Sequence, residues 1–156
     1  MPKIEKITKQ TENPYVNLYL VEGKNKVDHL FRYYVASRAK TMEALKIKTK
    51  KNTPDGVLMY SLYGEKRDKI VLVRQYRVSI DDYIYEFPAG LVESGEEFHE
   101  AAVREMHEET GLTFHPLKVD PCYEKPFFTT IGMTDEACSA VYGWCEGEIS
   151  RKYLEE

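Results

Sequence analysis

No stretch of the chain approaches the ~18 consecutive apolar residues that a membrane-spanning helix needs. The opening MPKIEKITKQ is also too polar for the apolar core of a secretory signal. A cytoplasmic protein without membrane contact is expected. Positive charge is not in excess either, since 22 Lys and Arg stand against 26 Asp and Glu, a net charge of -4. A coat for polymeric nucleic acid would show a basic stripe and a high pI, so that partner is not expected. Cysteine is scarce: Cys122, Cys138 and Cys145 are an odd number, without CxxC spacing or a histidine at ligand spacing. That argues against a disulfide framework or a thiolate metal site and points to reduced thiols in a cytosolic protein. Internal repeats, low-complexity tracts and interdomain linkers are missing too, and 156 residues fit one domain.

What is present is concentrated in residues 90–112, GLVESGEEFHEAAVREMHEETGL. Ser94 followed by Glu97 has the form of a capping box, in which each side chain satisfies an orphan amide of the first helical turn. A helix is therefore expected from near Gly95. Gly111, with His115 and Pro116 beyond, supplies a stop near Thr110. At about 100° per residue, Phe98, Ala102 and Met106 make the stripe that should face the core, and Glu105 and Glu109 fall on that stripe. Like charges four apart cost a few tenths of a kcal/mol even in water, and burial beside an apolar surface costs more. A divalent cation removes the penalty. Carboxylate oxygens plus substrate phosphates are what magnesium prefers, with manganese as the alternative, and Glu108 adds a third carboxylate. The bland reading is a solvated charged face. The spacing argues against it: five residues separate Gly90 from Glu96 and seven separate Glu96 from Arg104 and Glu105, followed by Met106, Glu108, Glu109, Gly111 and Leu112.

Around this stretch the chain reads mainly as strands. Residues 15–22 and 29–36 flank a turn at 23–26 and form a hairpin whose Tyr and Phe side chains need a surface to pack on. Residues 37–52 read as a short helix or a loop. Residues 57–63 and 70–76 flank a turn at 64–69 as a second hairpin. IVLVRQYR reads as a buried strand with a polar end, where Arg74, Gln75 and Arg77 cluster before residues 83–87 deliver the chain into Pro88, Ala89 and Gly90. Cations opposite an acidic helix make sense if they hold an anion that also touches a metal. Pro121 and Pro126 interrupt the strand-like residues 117–128. Residues 129–136, TTIGMTDE, are a polar loop, and residues 137–145 are a further strand.

The spacing over residues 90–112 matches every fixed position of the Nudix box, and the chain resembles a Nudix hydrolase. LVRQYR, YEFPAGLVESGE and the TTIGMTDE loop resemble the ADP-ribose pyrophosphatase branch over roughly residues 57–147. Members usually carry Ser-Pro-Gly where this chain has Thr130, Ile131 and Gly132, which leaves other nucleotide sugars open as substrates. The resemblance implies an α+β (α/β) fold, the Nudix-type α/β/α sandwich with a mixed β-sheet and an N-terminal β-hairpin. It implies one Nudix domain over residues 1–156, with about 1–52 a β-rich dimerisation segment and about 53–156 the core.

The same resemblance implies that Glu105, Glu108, Glu109 and the Ala89 carbonyl hold Mg2+ or Mn2+. Glu105, Glu108 and Arg104 would be catalytic, with Arg104 orienting the glutamates. Arg77, Arg74 and Glu136 would contact substrate, and Gly90, Glu96 and Gly111 would support the site. The expected partners are a nucleotide-sugar substrate and a second copy of the chain in a homodimer. The expected reaction is hydrolysis of ADP-ribose to AMP and ribose 5-phosphate. The rivals are a pyrophosphatase for a hexose linked to ADP, UDP or GDP, and a non-catalytic ADP-ribose sensor. Branch members continue past the last strand into an acidic loop, a strand and a helix. The ending at 153–156 therefore reads either as an ordinary frayed polar tail or as a shortened chain in which Glu155 or Glu156 stands near that loop.

Overall fold

The structure, a computed structural model, describes residues 1–153. It divides into two compact units, one of Met1–Thr53 with Phe128–Ala137 and one of residues 54–127 with the described residues from 138 on.

The first unit is built on an antiparallel sheet in the order β1-β2-β3, comprising β1 (Lys3–Lys9), β2 (Asn17–Lys24) and β3 (Leu30–Ser37). The expected hairpin is β2 with β3, in register from Asn17 opposite Ser37 to Lys24 opposite Leu30. β1 is an additional strand, since KIEKITK has too few apolar residues to announce one and is largely exposed. Tyr19 and Val21 are buried. The buried Asn17 organises the approach to β2: its Oδ1 accepts from the Asn13 amide at 2.7 Å and its Nδ2 donates to the Asn13 carbonyl at 2.9 Å. The ambiguous stretch 37–52 holds one helical turn, α1 (Lys46–Thr49), closed by Lys50 in the left-handed region. The 129–136 loop belongs to this unit. The Ala36 amide donates to the Met133 carbonyl at 2.9 Å, and the Tyr33 hydroxyl donates to the Gly132 carbonyl.

The second unit is a mixed sheet covered on one face by a helix. β4 (Gly56–Tyr63) runs parallel to β11 (Ala137–Glu146). β5 (Lys69–Ile70) and β8 (Ala89–Leu91) pair antiparallel with β4, β9 (Thr113–Pro116) pairs antiparallel with β11, and β10 (Phe127–Phe128) completes the sheet. β6 (Val73–Arg77) and β7 (Asp82–Glu86) form a separate ribbon. The helix α2 (Phe98–Thr110) sets Ala101, Ala102 and Met106 against Val57, Met59, Val141 and Phe114, all essentially buried, with Phe98 packed at the margin. Burial of each large side chain contributes about 1.5–3 kcal/mol, so this apolar face fixes which way the opposite, acidic edge of α2 points.

Two local expectations are corrected. The helix starts at Phe98, not near Gly95, and its N-cap is Glu97, which accepts from the His99 amide at 2.8 Å. Gly95, at φ 88°, turns the chain before the helix, and the Glu93 amide donates to Glu96 Oε2 at 2.9 Å. Next, IVLVRQYR is not one buried strand. Val71 enters the core, but Leu72 is half exposed and the chain leaves the main sheet there to pair with β7. The alternative readings of the 153–156 ending fall almost wholly outside the described residues, but the segment before it is anchored. The Ser150 amide donates to the Thr110 carbonyl at 2.8 Å, which satisfies an orphan acceptor at the end of α2, and the Tyr153 ring packs at a tilt against His107 with centroids 4.4 Å apart.

Candidate active site

The site grows from a short strand and a helix packed side by side. β8 delivers Ala89 and Gly90 beside α2, and Glu105 lies so close to Gly90 that a Cβ at that position would overlap its carboxyl group. Only a residue without a side chain leaves room for that carboxylate. Gly111 closes α2 in the left-handed region, at φ 76°, with its amide donating to the His107 carbonyl at 2.8 Å, so it acts as the expected stop.

Arg104 ties the box together. Its Nε and Nη2 donate to the two oxygens of Glu96 at 2.9 and 3.0 Å, and Nη1 donates to Glu105 at 2.9 Å and Glu108 at 3.1 Å. Nη2 also donates to the Leu91 carbonyl at 3.0 Å. This fork geometry, with donors in one plane, is what a guanidinium can satisfy and an ammonium cannot. Arg104 holds the Glu96 carboxyl down at about 2, with the Glu93 amide helping. Glu96 in turn pushes the Arg104 pKa up against the opposing effect of burial.

Glu109 is in the opposite condition. Burial first, then the neighbouring Glu105 charge, push its carboxyl up to about 7, and Glu86 adds to this; the Ala89 amide and Arg77 pull the other way. Its Oε2 is buried without a hydrogen-bond partner. A carboxylate oxygen left this way costs about 1–3 kcal/mol or more, and a cation beside it would remove the cost. With Glu105 on the same edge of α2, the donor set is hard oxygen, which fits magnesium or manganese. Among the described residues no three acidic, His or Cys side chains are already gathered as ligands. Arg104 takes one oxygen each of Glu105 and Glu108.

The ribbon separates two residues expected together. Arg74 and Arg77 are three apart on β6, so strand alternation places them on opposite faces. Arg74 stacks over the Tyr83 ring at 4.4 Å, beside the edge-on Tyr76–Tyr83 pair. Arg77 donates from Nε and Nη2 to Glu86 at 2.8 and 2.9 Å, and its charge reaches Glu109. Glu86 is a site residue the sequence reading passed over, although it is the one acidic residue in the run YIYEF. Glu136 belongs to the first unit, where it pairs with Arg38 at 2.6 Å. It borders a pocket of 290 Å³ lined also by Val16, Ala36, Thr130, Met133 and Thr134. Glu155 and Glu156 lie outside the described residues.

Residues 52–149 match the model of the NUDIX domain. The chain belongs to the Nudix family. An ADP-ribose pyrophosphatase of Saccharomyces cerevisiae is 35% identical over 80 residues, 50% of this chain and 35% of that protein. An ADP-sugar pyrophosphatase of Mus musculus is 36% identical over 87 residues, 54% of this chain and 40% of that protein. The chain thus spans well under two thirds of the length of either relative. A crystal structure of an ADP compounds hydrolase superposes with a TM-score of 0.70 over 99% of this chain and 74% of that one, at 18% identity, which establishes the shared fold. The α+β sandwich and the Nudix membership expected from the box are therefore both correct.

Proposed function

We propose that this Nudix domain hydrolyses the diphosphate bond of a nucleoside diphosphate joined to a sugar, with ADP-ribose the foremost substrate and AMP and ribose 5-phosphate the products. The observation that carries the reading is the buried, unpartnered Glu109 Oε2 beside Glu105. A divalent cation beside it would supply the missing partner and stabilise the charged form. The names of the yeast and mouse relatives support the substrate class.

Glu105, Glu108, Glu109 and the Ala89 carbonyl would hold Mg2+ or Mn2+. When bound, the metal would neutralise diphosphate charge and lower the pKa of water. Arg77 grips a phosphate through charge-assisted hydrogen bonds. Arg104 fixes the direction of Glu105 and Glu108, and Glu96 keeps Arg104 from following the substrate's charge out of the box. Positioning and charge then supply most of the rate, as in phosphoryl transfer generally.

Residues 1–52 serve as the association segment of a cytoplasmic homodimer, and residues 53–156 as the Nudix core. Support for the dimer comes from the exposed Tyr15, Leu30 and Tyr34 of the first unit. Support for the boundary comes from the start of the family match at residue 52. The deciding assay is a panel of ADP-, UDP- and GDP-sugars with magnesium or manganese, read as released phosphomonoester. Turnover led by ADP-ribose is expected. Binding of ADP-ribose without turnover of any member would replace catalysis by sensing.

A further inference from the structure

We propose that Glu86 is a positioning residue for the diphosphate, holding the Arg77 guanidinium in its working orientation before substrate arrives. The inference rests on the proposed function, because Arg77 is taken there as the phosphate contact. The geometry is that of the β6–β7 ribbon. Arg77 stands opposite Asp82 near the turn, and Glu86 stands at the other end, opposite Val73. Residues 73, 75 and 77 share a face with their partners 86, 84 and 82. Arg77 thus reaches along its own face, past the Gln75 and Ile84 pair, and meets Glu86 with two nitrogens on two oxygens at 2.8 and 2.9 Å.

This reach moves the cation from the turn of the ribbon to the end where Pro88, Ala89 and Gly90 follow. There both Glu86 and Arg77 act on the Glu109 charge. An ordinary exposed ion pair would be a weak, single-pronged contact. Here both carboxylate oxygens are engaged, and the Glu86 side chain is only 24% exposed. A grip on the Nε–Nη2 edge fixes the plane of the guanidinium, so the rotamer freedom of a long side chain is given up before the anion binds. Glu86 therefore acts on substrate through Arg77 and need not touch it.

The test is a double-mutant cycle of Glu86→Ala and Arg77→Ala, read by calorimetry with a non-hydrolysable methylene analogue of ADP-ribose and with inorganic pyrophosphate, without added metal. In parallel, KM and kcat are measured on ADP-ribose with magnesium, and thermal melts confirm that each variant is folded. Glu86→Ala is expected to weaken binding about tenfold when Arg77 is present and less than about twofold when it is not. KM should rise while kcat changes little, and Glu86→Gln, which retains one acceptor, should fall between. Equal weakening in both backgrounds would show that Glu86 acts independently of Arg77 and would overturn the proposal. Tighter binding by Glu86→Ala would also overturn it, making Glu86 a competitor for the arginine. Should the wild type bind the analogue yet fail to hydrolyse ADP-ribose, the proposed function fails while the cycle still decides Glu86. Failure of the wild type to bind either probe, together with no turnover of ADP-ribose in magnesium, overturns both.

Discussion

Glu105 lies directly over Gly90, so close that the two positions cannot both carry a side chain in the present arrangement. Gly90→Ala should therefore push Glu105 off the β8 edge and with it disturb the Arg104 bridge, which meets Glu105 at 2.9 Å. If Glu105 holds metal as proposed, we expect kcat to fall by about 10- to 100-fold, the usual consequence of disturbing the support of a ligand. Stability should change much less, because what the new Cβ meets is the movable Glu105 side chain rather than backbone. Kinetics and urea melts on the purified variant check both. Unchanged turnover would show that Glu105 has another route into the site.

Glu109 makes a prediction in pH. Its folded pKa of about 7 lies above the ordinary 4.5, chiefly through burial. A folded carboxyl that holds its proton more tightly contributes stability below pH 4.5, and this is lost as pH rises through about 7. Without metal, the wild type should lose on the order of 2 kcal/mol relative to Glu109→Gln between pH 4.5 and 8. Magnesium at pH 8 should then restore the wild type and leave the variant unmoved. Denaturation of both proteins in chelator at the two pH values is the measurement. A difference that does not change with pH would remove the case for a cation there.

The parts of this site that follow from short-range rules were legible in the sequence. Gly111 ends α2 because a left-handed cap is a local property, and the 3.6 period set Ala102 and Met106 inward. The helix start was misread because Ser94 and Glu97 have the form of a capping box. Glu97 is instead itself the N-cap, accepting from the His99 amide at 2.8 Å, and Gly95 turns the chain before the helix begins. Arg74 and Arg77 were grouped by nearness in sequence, although a separation of three along a strand already implies opposite faces. The pairing of Arg77 with Glu86 depends on where the β6–β7 ribbon turns, and no local pattern announces the break after Val71.

The N-terminal unit exposes Tyr15 at 79%, Leu30 at 77% and Tyr34 at 53%. On the proposed reading these side chains belong to an association surface, and we expect a homodimer at micromolar concentration. Tyr34→Glu together with Leu30→Glu should shift the species toward monomer, because charge on such a surface is costly to bury. Light scattering decides. A wild-type monomer would remove the dimer without affecting the chemistry assigned to residues 89–109.

The last prediction concerns His99, whose ring is held at both nitrogens. Nδ1 lies 3.0 and 3.1 Å from the two oxygens of Glu97, Nε2 lies 2.8 Å from Glu124, and the Phe98 ring packs against it at 4.1 Å. A neutral imidazole has one N–H and can satisfy one of these carboxylates, whereas the cation satisfies both. Burial disfavours the charge, but Glu124 and Glu97 outweigh it, so the pKa is raised above 6.5. The sign follows: the contribution is complete below pH 6.5 and lost as pH rises through the raised value. Because the group is partly solvated, we expect about 0.5–1 kcal/mol. Glu124 also anchors its segment to β11 through its carbonyl, which accepts from Ser139 Oγ at 2.9 Å. Loss of the ring charge should therefore raise hydrogen exchange in residues 120–125 first, after allowance for the intrinsic pH dependence of exchange. His99→Gln should flatten the stability difference between pH 6 and 9. An NMR titration placing His99 at or below 6.5 would mean that desolvation outweighs the two carboxylates and that the clamp contributes nothing.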